Sequence, residues 1–332
     1  MKNAHPNTHP SGAHTRRPMA LPLRVGTRAS PLALWQTRHF LGLLTGFCPV
    51  LKGMNAFEEH QIRTTGDATQ AAGTRLADIG GKGLFAKEIH EALADRRIDF
   101  AVHSLKDLET SLPDGIVLAC TLAREDARDA LILPPGAAVD PANPLAALPR
   151  GARIGTSSVR RQAQLLHHRP DLRCETIRGN VATRQDRIAA GDFDATLLAL
   201  AGMRRLGLVG EAIALDPALM LPAACQGIVG ITVRADNTEL RELLAAIEDP
   251  AARAVSVAER ALLGELDGSC RTPIGGYARL AGGTLALEGL VARTDGSFLL
   301  RRSLTGAAGD AARLGRELGL ALRADSPDDI LG

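Results

Sequence analysis

Short apolar runs alternate with longer amphipathic stretches along most of the chain, a pattern typical of α/β proteins. The run from Leu21 to Gly26 predicts a buried strand, and the stretch after it predicts a helix with Ser30 at the N-cap and Pro31 at the first helical position. The same order of strand, polar cap and helix returns over residues 152–168. We therefore predict two similar α/β domains.

Two more strands are predicted, from His60 to Asp67 and from Asp99 to Leu108, each ending in polar residues. Side chains alternate between the faces of a strand, so Ser104 and Lys106 are expected on one face and Asp107 on the other. Such groups at the carboxyl end of an α/β strand face a ligand crevice. The alternative is an exposed Lys–Asp pair without a binding role.

The remaining segments complete the predicted order of elements. Ala68 to Gly83 contains too many glycines for a regular element and predicts a mobile loop. Arg204 and Arg205 are predicted to lie in a turn, and a strand near residues 226–233 is expected to cross back into the first domain. From Asp249 onward, a helix, hairpin strands and a last helix predict a small α+β module.

These elements suggest a disordered tail and three domains. Residues 1–20 are rich in His, Pro, Asn and Thr and lack an apolar core, which predicts a disordered tail rather than a signal peptide. The first α/β domain is predicted over residues 21–122 plus 228–247, the second over 123–227, and the α+β module over 248–332. No stretch approaches the roughly 20 apolar residues of a membrane span, so we expect a soluble cytoplasmic protein.

Composition narrows the class of partner. A formal net charge of +2 and an aromatic content of 3% argue against nucleic acid and favour a small acidic molecule. No metal site is expected, because His167 and His168 are adjacent on a helix and cannot face one ion together. The cysteines are widely spaced without a CxxC motif, which favours a reducing compartment; they are Cys48, Cys120, Cys174, Cys225 and Cys270.

Positive charge is concentrated between Arg153 and Arg187, where eight arginines face only three acidic residues. Arginine matches carboxylate and phosphate with two parallel hydrogen bonds. A cap at Thr156, Ser157 and Ser158 would leave backbone N–H groups facing an anion. Arg160 and Arg161 lie in that first helical turn, where cations are unfavourable unless an anion compensates them. We predict an anion site; the alternative is a solvated basic helix face.

Cys270 lies in a loop directly after a predicted helix. Its small neighbours Gly268 and Ser269, together with Arg271, favour an exposed thiolate that could act as a nucleophile or an attachment point. The alternative is an inert buried thiol, the usual role of a free cysteine. Asp107, if opposite several arginines, would stay ionised and could stabilise a cation.

From Arg24 to the end of the last helix, the chain closely resembles the porphobilinogen deaminase family, also called hydroxymethylbilane synthases. The resemblance is carried in order by the motifs GTRASPLALWQ, GGKGLF, AVHSLKD, REDARDA, GTSSVRRQ, RGNVATR, LALAGMRRLG, LPAACQG and GSCRTPIGGYA. It implies two domains like those of type II periplasmic binding proteins, a cleft between them, a mobile loop over the cleft and a third domain that carries the cysteine.

The resemblance also implies a chemistry. In the family a dipyrromethane cofactor is joined by a thioether to the cysteine matched here by Cys270. Four porphobilinogen molecules are added in turn with loss of ammonia, and a linear tetrapyrrole is released by hydrolysis. The family resemblance also favours a monomer.

Residue roles follow from the matched motif positions. Asp107 is implied as the catalytic carboxylate. The implied cofactor-binding residues besides Cys270 are Ser30, Lys106, Thr156, Ser157, Ser158, Arg160, Arg161 and Arg184, and the implied substrate-binding residues are Arg28, Arg178 and Arg205. Two positions depart from the family pattern: Glu109 stands where proline is common, and Cys225 where glycine is usual.

Two other functions remain open on residues alone. One is a two-domain clamp that binds a dicarboxylate or oxyanion without chemistry. The other is a phosphoribosyl-type transferase that uses the arginines for phosphate. Both would leave Cys270 without a role.

Overall fold

The alternating strands and helices of the chain form three sheets with helices packed on them. The computed structural model describes residues 20–67, 83–266 and 272–331. The strands are β1 Leu23–Thr27, β2 Phe57–Gln61, β3 Phe100–Ser104, β4 Ile116–Thr121, β5 Asp129–Ile132, β6 Arg153–Gly155, β7 Arg173–Glu175, β8 Ala195–Ala199, β9 Ile213–Ala214, β10 Val229–Arg234, β11 Ile274–Ala281, β12 Thr284–Ala292 and β13 Leu299–Ala307.

Helices connect these strands and cover the sheets. They are α1 Pro31–Phe47, α2 Val50–Gly53, α3 Lys87–Ala94, α4 Val159–His168, α5 Val181–Ala189, α6 Leu200–Leu206, α7 Thr238–Ala245, α8 Pro250–Glu265, α9 Ala311–Asp325 and α10 Asp328–Leu331. Short 3-10 turns occupy Leu105–Asp107, Pro144–Ala147 and Ala308–Asp310. Ser30 caps α1 by accepting from the Ala33 N–H, and Pro31 opens the helix as predicted.

The first two sheets share one plan. The first has the order β2-β1-β3-β10-β4 and the second β7-β6-β8-β5-β9. In each sheet the first three strands are parallel and the fourth is antiparallel to its neighbours. β10 joins the first sheet after the chain has built the second, so the predicted crossing is present. The prediction of two similar α/β domains is confirmed.

The third sheet is antiparallel, in the order β11-β12-β13, and α8 and α9 pack on it. Gly315 and Gly319 lie one turn apart on α9, where added Cβ atoms would collide with α8, so the two helices approach closely. The predicted α/β class with a small C-terminal α+β domain is confirmed. The exact domain boundaries stay a prediction.

Each sheet has its own apolar core. Phe40, Leu44 and Phe100 are fully buried against the first sheet, whereas Ile154 and Leu165 are buried against the second. The first two sheets thus have separate buried clusters.

Three local predictions were wrong. The strand predicted over His60–Asp67 is β2, which ends at Gln61, and residues 65–67 form a helical turn. That turn is favoured because the Thr64 hydroxyl donates to the Asp67 carboxylate at 2.8 Å. Arg204 and Arg205 lie in α6, not in a turn, because the helix continues to Gly207, whose left-handed backbone ends it. The third concerns Asp107 and is described with the site.

Candidate active site

A cavity of about 380 Å³ opens where the carboxyl ends of strands from the first two sheets meet. Arg28 follows β1, Lys106 and Asp107 follow β3, and the cap of α4 follows β6. The cavity brings together most of the side chains that the sequence suggested; those lining it are Arg28, Lys106, Asp107, Ser157, Ser158, Arg160, Arg161, Arg178 and Arg184. Ser30 lines a smaller adjoining pocket with Arg28 and Asp107.

The turn after β3 directs two consecutive side chains into this cavity. β3 ends at Ser104, and the Leu105 N–H makes one more bond to the neighbouring strand segment, donating to the Ile228 carbonyl at 2.9 Å, before the chain turns. Buried Leu105 anchors a single 3-10 turn that carries Lys106 and Asp107. The strand predicted to Leu108, with Lys106 and Asp107 on opposite faces, is therefore wrong.

Asp107 has a cation within reach. Its Oδ2 lies 3.7 Å from Arg28 Nη1, and the carboxylate keeps 30% of its surface exposed to the cavity. Arg28 is held in place by Asp67, whose Oδ1 accepts from Arg28 Nη2 at 2.5 Å. The pKa of Asp67 lies below its usual value: burial would raise it, but the hydrogen bond and charge of Arg28 outweigh that effect.

Lys106 is a cation with an unusual pKa. Its side chain is open to the water of the cavity, and Nζ donates to Gln226 Oε1 at 3.2 Å. The surrounding cavity walls lower its pKa to about 8 by desolvation; Asp107 acts in the opposite direction and Arg161 in the same one. Lys106 therefore changes charge much closer to neutral pH than an ordinary lysine.

The polar residues after β6 shape the start of α4. Ser158 caps the helix by accepting from the Arg161 N–H at 3.4 Å. The Ser157 hydroxyl donates to the Ile177 carbonyl at 2.6 Å, and Thr156 Oγ1 accepts from the Ser158 N–H at 3.2 Å. Thr156 is buried and does not line the cavity, whereas Ser157 and Ser158 do.

Asp129 is the anion that compensates Arg160 and Arg161. Fully buried, it lies 2.8 Å from Arg160 Nη1 and 2.7 Å from Arg161 Nη2. Burial alone would raise the pKa of Asp129, but the two guanidinium groups hold it below its ordinary value. The alternative of a solvated basic helix face is thus excluded for these two residues. Sequence reasoning missed Asp129, although an acid opening the apolar run DALIL was the available signal.

Gln226 joins the two halves of the cavity and was also missed. Its Nε2 donates to Asp129 Oδ1 at 2.9 Å, while its Oε1 accepts from Lys106. The amide therefore connects the turn that carries Asp107 with the buried pairs beneath α4. A glutamine gives little sequence signal, because its role depends on contacts from residues far along the chain.

The other predicted arginines differ in position. Arg184 donates to the Gly179 carbonyl at 3.0 Å, and burial, with help from Arg161 and Arg178, lowers its pKa to about 10. Arg205 lies outside the cavity lining; it donates to the Gly227 carbonyl at 2.7 Å and its guanidinium is 5.9 Å from the Trp35 ring centre.

Three arginines of the stretch between residues 153 and 187 form ion pairs at the periphery of the protein. Arg153, Arg169 and Arg187 pair with Glu175, Asp171 and Asp192 at 3.1, 2.7 and 2.7 Å. Such pairs contribute little stability each. The local excess of charge in the sequence therefore divides into three peripheral pairs and four arginines that line the cavity.

Cys270 and nearly all of the predicted mobile loop, residues 68–82, lie outside the described residues. The chain enters and leaves the cysteine segment beside the cavity, since Leu263, Thr272 and Ile274 line it. Across the described ranges, no cluster of three or more His, Cys, Asp or Glu side chains could hold a metal ion. Of the helices described, none is both long and apolar enough to cross a bilayer.

A two-lobed α/β protein with a cation-lined cleft is the class that this fold and site define. Residues 23–242 match the family model described as porphobilinogen deaminase, dipyromethane cofactor binding domain, and residues 254–324 match the model of the porphobilinogen deaminase C-terminal domain. The chain belongs to the porphobilinogen deaminase family.

Curated relatives agree over nearly the whole length. Porphobilinogen deaminase of Syntrophobacter fumaroxidans is 43% identical over 301 residues, covering 90% of this chain and 94% of the relative. That of Chromobacterium violaceum is 47% identical over 296 residues, covering 88% and 91%. Among solved structures, an arginine-specific periplasmic binding protein of Salmonella typhimurium aligns with 15% identity and a TM-score of 0.38, over 70% of this chain and 94% of that one.

Cys225, one of the two departures from the family pattern, is buried as expected of a small residue. Its φ of 62° places it in the left-handed region that glycine favours. The backbone therefore explains why glycine is usual at this position, and a cysteine there adopts a strained conformation.

Proposed function

We propose that this chain catalyses the porphobilinogen deaminase reaction, the transferase reaction of hydroxymethylbilane synthases. Four porphobilinogen molecules are condensed head to tail with loss of ammonia, and hydrolysis releases hydroxymethylbilane for tetrapyrrole and heme biosynthesis. One observation carries the proposal. Among the described residues, the partly exposed carboxylate of Asp107 lies in a cavity lined by six cationic side chains, and the segment with Cys270 begins and ends beside that cavity.

The residues of the cavity fit a dipyrromethane cofactor. Each pyrrole carries an acetate and a propionate, so two linked units present four carboxylates. Arg160, Arg161, Arg184 and Lys106 supply positive charge for them, of which Asp129 offsets one unit, and Ser157 and Ser158 add hydroxyls at the start of α4. Cys270 is the proposed attachment residue, through a thioether. Ser30 is a further proposed contact, and Thr156, buried behind the lining, is proposed to act by accepting from the Ser158 N–H.

Arg28, Arg178 and Arg205 are the proposed contacts for the carboxylates of the incoming porphobilinogen. Of these, Arg28 lies next to Asp107, and Arg178 lines the same cavity, which supports their assignment. Arg205 lies behind the residues that line the cavity, so a direct contact with substrate requires a movement of α6. Without that movement, Arg205 acts indirectly, through its hydrogen bond to the Gly227 carbonyl.

The chemistry follows from the position of Asp107. The bond between the methylene carbon and the protonated amine nitrogen of porphobilinogen breaks, neutral ammonia leaves with the electron pair, and the positive charge of the ammonium group passes to the pyrrole. The Asp107 carboxylate stabilises that charge and accepts from the pyrrole N–H. The bound dipyrromethane supplies the free pyrrole α-carbon to which the new unit is joined. The proton lost from that carbon then leaves through the same carboxylate.

The proposal includes a monomer in the cytoplasm, on the basis of the family resemblance. Its partner is the small acidic pyrrole rather than nucleic acid or a membrane. The distribution of charge supports this, because arginines outside the cavity such as Arg153 and Arg187 are neutralised by neighbouring acids.

An intact mass of the purified protein, compared with Cys270→Ser, tests the proposal. The expected result is a covalent increment of two linked pyrrole units in the wild type that is absent in the variant. A wild type without the increment is incubated with porphobilinogen and measured again. If it gains no adduct and releases no ammonia, the proposal is wrong and the anion-binding clamp or the phosphoribosyl-type transferase takes its place.

A further inference from the structure

Glu109, which stands where the family commonly has proline, lies in the wall of the cavity two residues after Asp107. Its side chain is directed away from the cavity water: Oε2 is buried, and the side chain keeps only 14% of its surface exposed. Its main-chain carbonyl accepts from Arg260 Nη2 of α8 at 2.6 Å. The backbone of Glu109 is thus fixed, and the carboxylate has a defined direction.

The carboxylate occupies the place of a missing side chain at Gly83. A Cβ built on Gly83 would overlap with Glu109 Oε1, and the φ of Gly83 is +76°, so glycine is required there on both counts. On the other side, Oε2 lies 3.8 Å from His90 Nδ1. His90 is buried on α3, and neither ring nitrogen has a hydrogen-bond partner within the described part of the chain. Glu109 therefore joins Gly83 to α3.

Gly83 in turn determines the position of an aromatic ring beside the reactive carboxylate. Its carbonyl accepts from the N–H groups of Ala86 and Lys87, which opens the first turn of α3. Phe85 lies in that turn, and the Arg28 guanidinium lies over its ring at 4.2 Å from the centre. Arg28 is the cation next to Asp107. The contacts therefore form a closed ring from Asp107 through Glu109, Gly83, Phe85 and Arg28 back to Asp107.

We propose that Glu109 is a positioning residue for Arg28, acting through Gly83 and Phe85. Its carboxylate holds the Gly83 turn against α3, the turn holds the Phe85 ring, and the ring holds the guanidinium at the distance from Asp107 at which it can receive a substrate carboxylate. The last step rests on the proposed function, in which Arg28 binds substrate.

The first test measures kcat and KM for porphobilinogen in Glu109→Ala, with Glu91→Gln as the matched control. Glu91 is an exposed acid on the same helix, α3. Contacts transmitted through packed side chains change binding by about 0.5–2 kcal/mol, so KM should rise roughly 3- to 30-fold with a smaller change in kcat. Glu91→Gln should leave both constants unchanged. An unchanged KM in folded Glu109→Ala overturns the proposal.

The second test compares a single with a double variant, to show whether the effects of Gly83 and Glu109 on KM depend on each other. Gly83→Ala should raise KM because the new methyl group displaces Glu109, while Gly83→Ala/Glu109→Ala should be no worse than Gly83→Ala alone, since the overlap is gone. Alanine at position 83 strains the left-handed backbone equally in the single and the double variant, so this strain does not affect the comparison of their KM values. If the double variant instead raises KM by the product of the two single effects, the residues act independently and the proposal is wrong.

A third readout needs no substrate. The Nε–H resonance of Arg28, assigned by Arg28→Lys, carries a ring-current shift from Phe85, and this shift should shrink in Glu109→Ala but not in Glu91→Gln. If the wild type does not turn over porphobilinogen, the proposed function fails while this shift still decides the positioning. An unchanged shift overturns the positioning role whatever the activity.

Discussion

The two lobes of the cleft begin with equivalent units that use arginine in opposite ways. β1 and β6 occupy the same place in their sheets, and each leads through a serine cap into a helix. In the first lobe, Arg28 lies before the cap, keeps 18% of its side chain exposed and reaches Asp107. In the second, Arg160 lies inside the helix, is buried to 6% exposure and pairs with Asp129.

Both arginines are paired with an acid, Arg28 with Asp67 and Arg160 with Asp129, so the two differ in exposure: Arg160 is buried, whereas Arg28 also lies beside the partly exposed Asp107. A cation in the first turn of a helix is unfavourable by roughly 0.3–1 kcal/mol, and Asp129 removes that penalty beneath α4. The second lobe therefore carries its positive charge as part of the folded structure. The first lobe holds its arginine beside Asp107, the carboxylate that the proposed function makes reactive. Under that proposal, equivalent backbone units provide a rigid side and a reactive side.

The largest expected effect comes from removing the carboxylate of the reactive side. Asp107→Ala should lower turnover by about 10²- to 10⁴-fold, the range for a positioned acid–base group, because nothing then stabilises the developing cation. The fold should persist, since Asp107 is partly exposed and, within the described ranges, pairs with Arg28 alone. Ammonia release and circular-dichroism melting measure the two quantities. Near-normal turnover would remove its catalytic role.

Removing the carboxylate of the rigid side should instead affect stability. Asp129→Asn leaves Arg160 and Arg161 without their buried counter-charge and should cost about 3–5 kcal/mol in the free energy of unfolding. Asp192→Asn, which breaks the exposed pair with Arg187, is the control and should cost less than about 1 kcal/mol. Urea unfolding measures both, and equal losses would show that the buried pairs are not special.

The sign of the pH dependence follows from the depressed pKa of Asp129. Its contribution is fully present above the ordinary value of 3.8 and is lost only as the pH falls below that value towards the lower folded pKa. Between pH 4 and 7, the stability difference between wild type and Asp129→Asn should therefore stay constant.

The two strand–cap–helix units could be predicted from the sequence, because the Ser30 cap and the Thr156–Ser158 cap are local signals. Several of the arginines that sequence reasoning singled out line one cavity, whereas the anion site itself stays a prediction. Sequence reasoning could not find Asp129 as their partner or predict the turn at Leu105, since both depend on contacts between distant residues. Leu105, for example, is buried in one cluster with Ile228, more than a hundred residues along the chain. Local patterns predict elements; the pairing of charged residues that are far apart in the sequence requires the folded chain.

The pH dependence of KM can sharpen the comparison of the two lobes, because Lys106 of the first lobe is linked through Gln226 to Asp129 of the second. Its pKa is lowered from 10.5 to about 8, so it loses its charge as the pH rises through 8. KM for porphobilinogen should therefore increase above pH 8 by up to about tenfold per unit, if one cation is lost. Lys106→Gln should have a higher KM at neutral pH and no such alkaline limb. A limb that persists in Lys106→Gln would assign the titration to another group.

The smallest expected effect concerns Cys225, in the segment by which the chain returns from the second lobe to the first. Its left-handed backbone costs an ordinary residue about 1 kcal/mol, so Cys225→Gly should remove strain that offsets the loss of a small buried side chain. We expect unfolding free energies within about 0.5 kcal/mol of wild type. Cys120→Gly is the matched control, because Cys120 is equally buried but lies in β4, and there glycine should cost roughly 1–3 kcal/mol. Equal losses at the two positions would mean that the backbone at Cys225 stores no strain, and the usual glycine at this position would then need another explanation, such as freedom of the return segment when the lobes move.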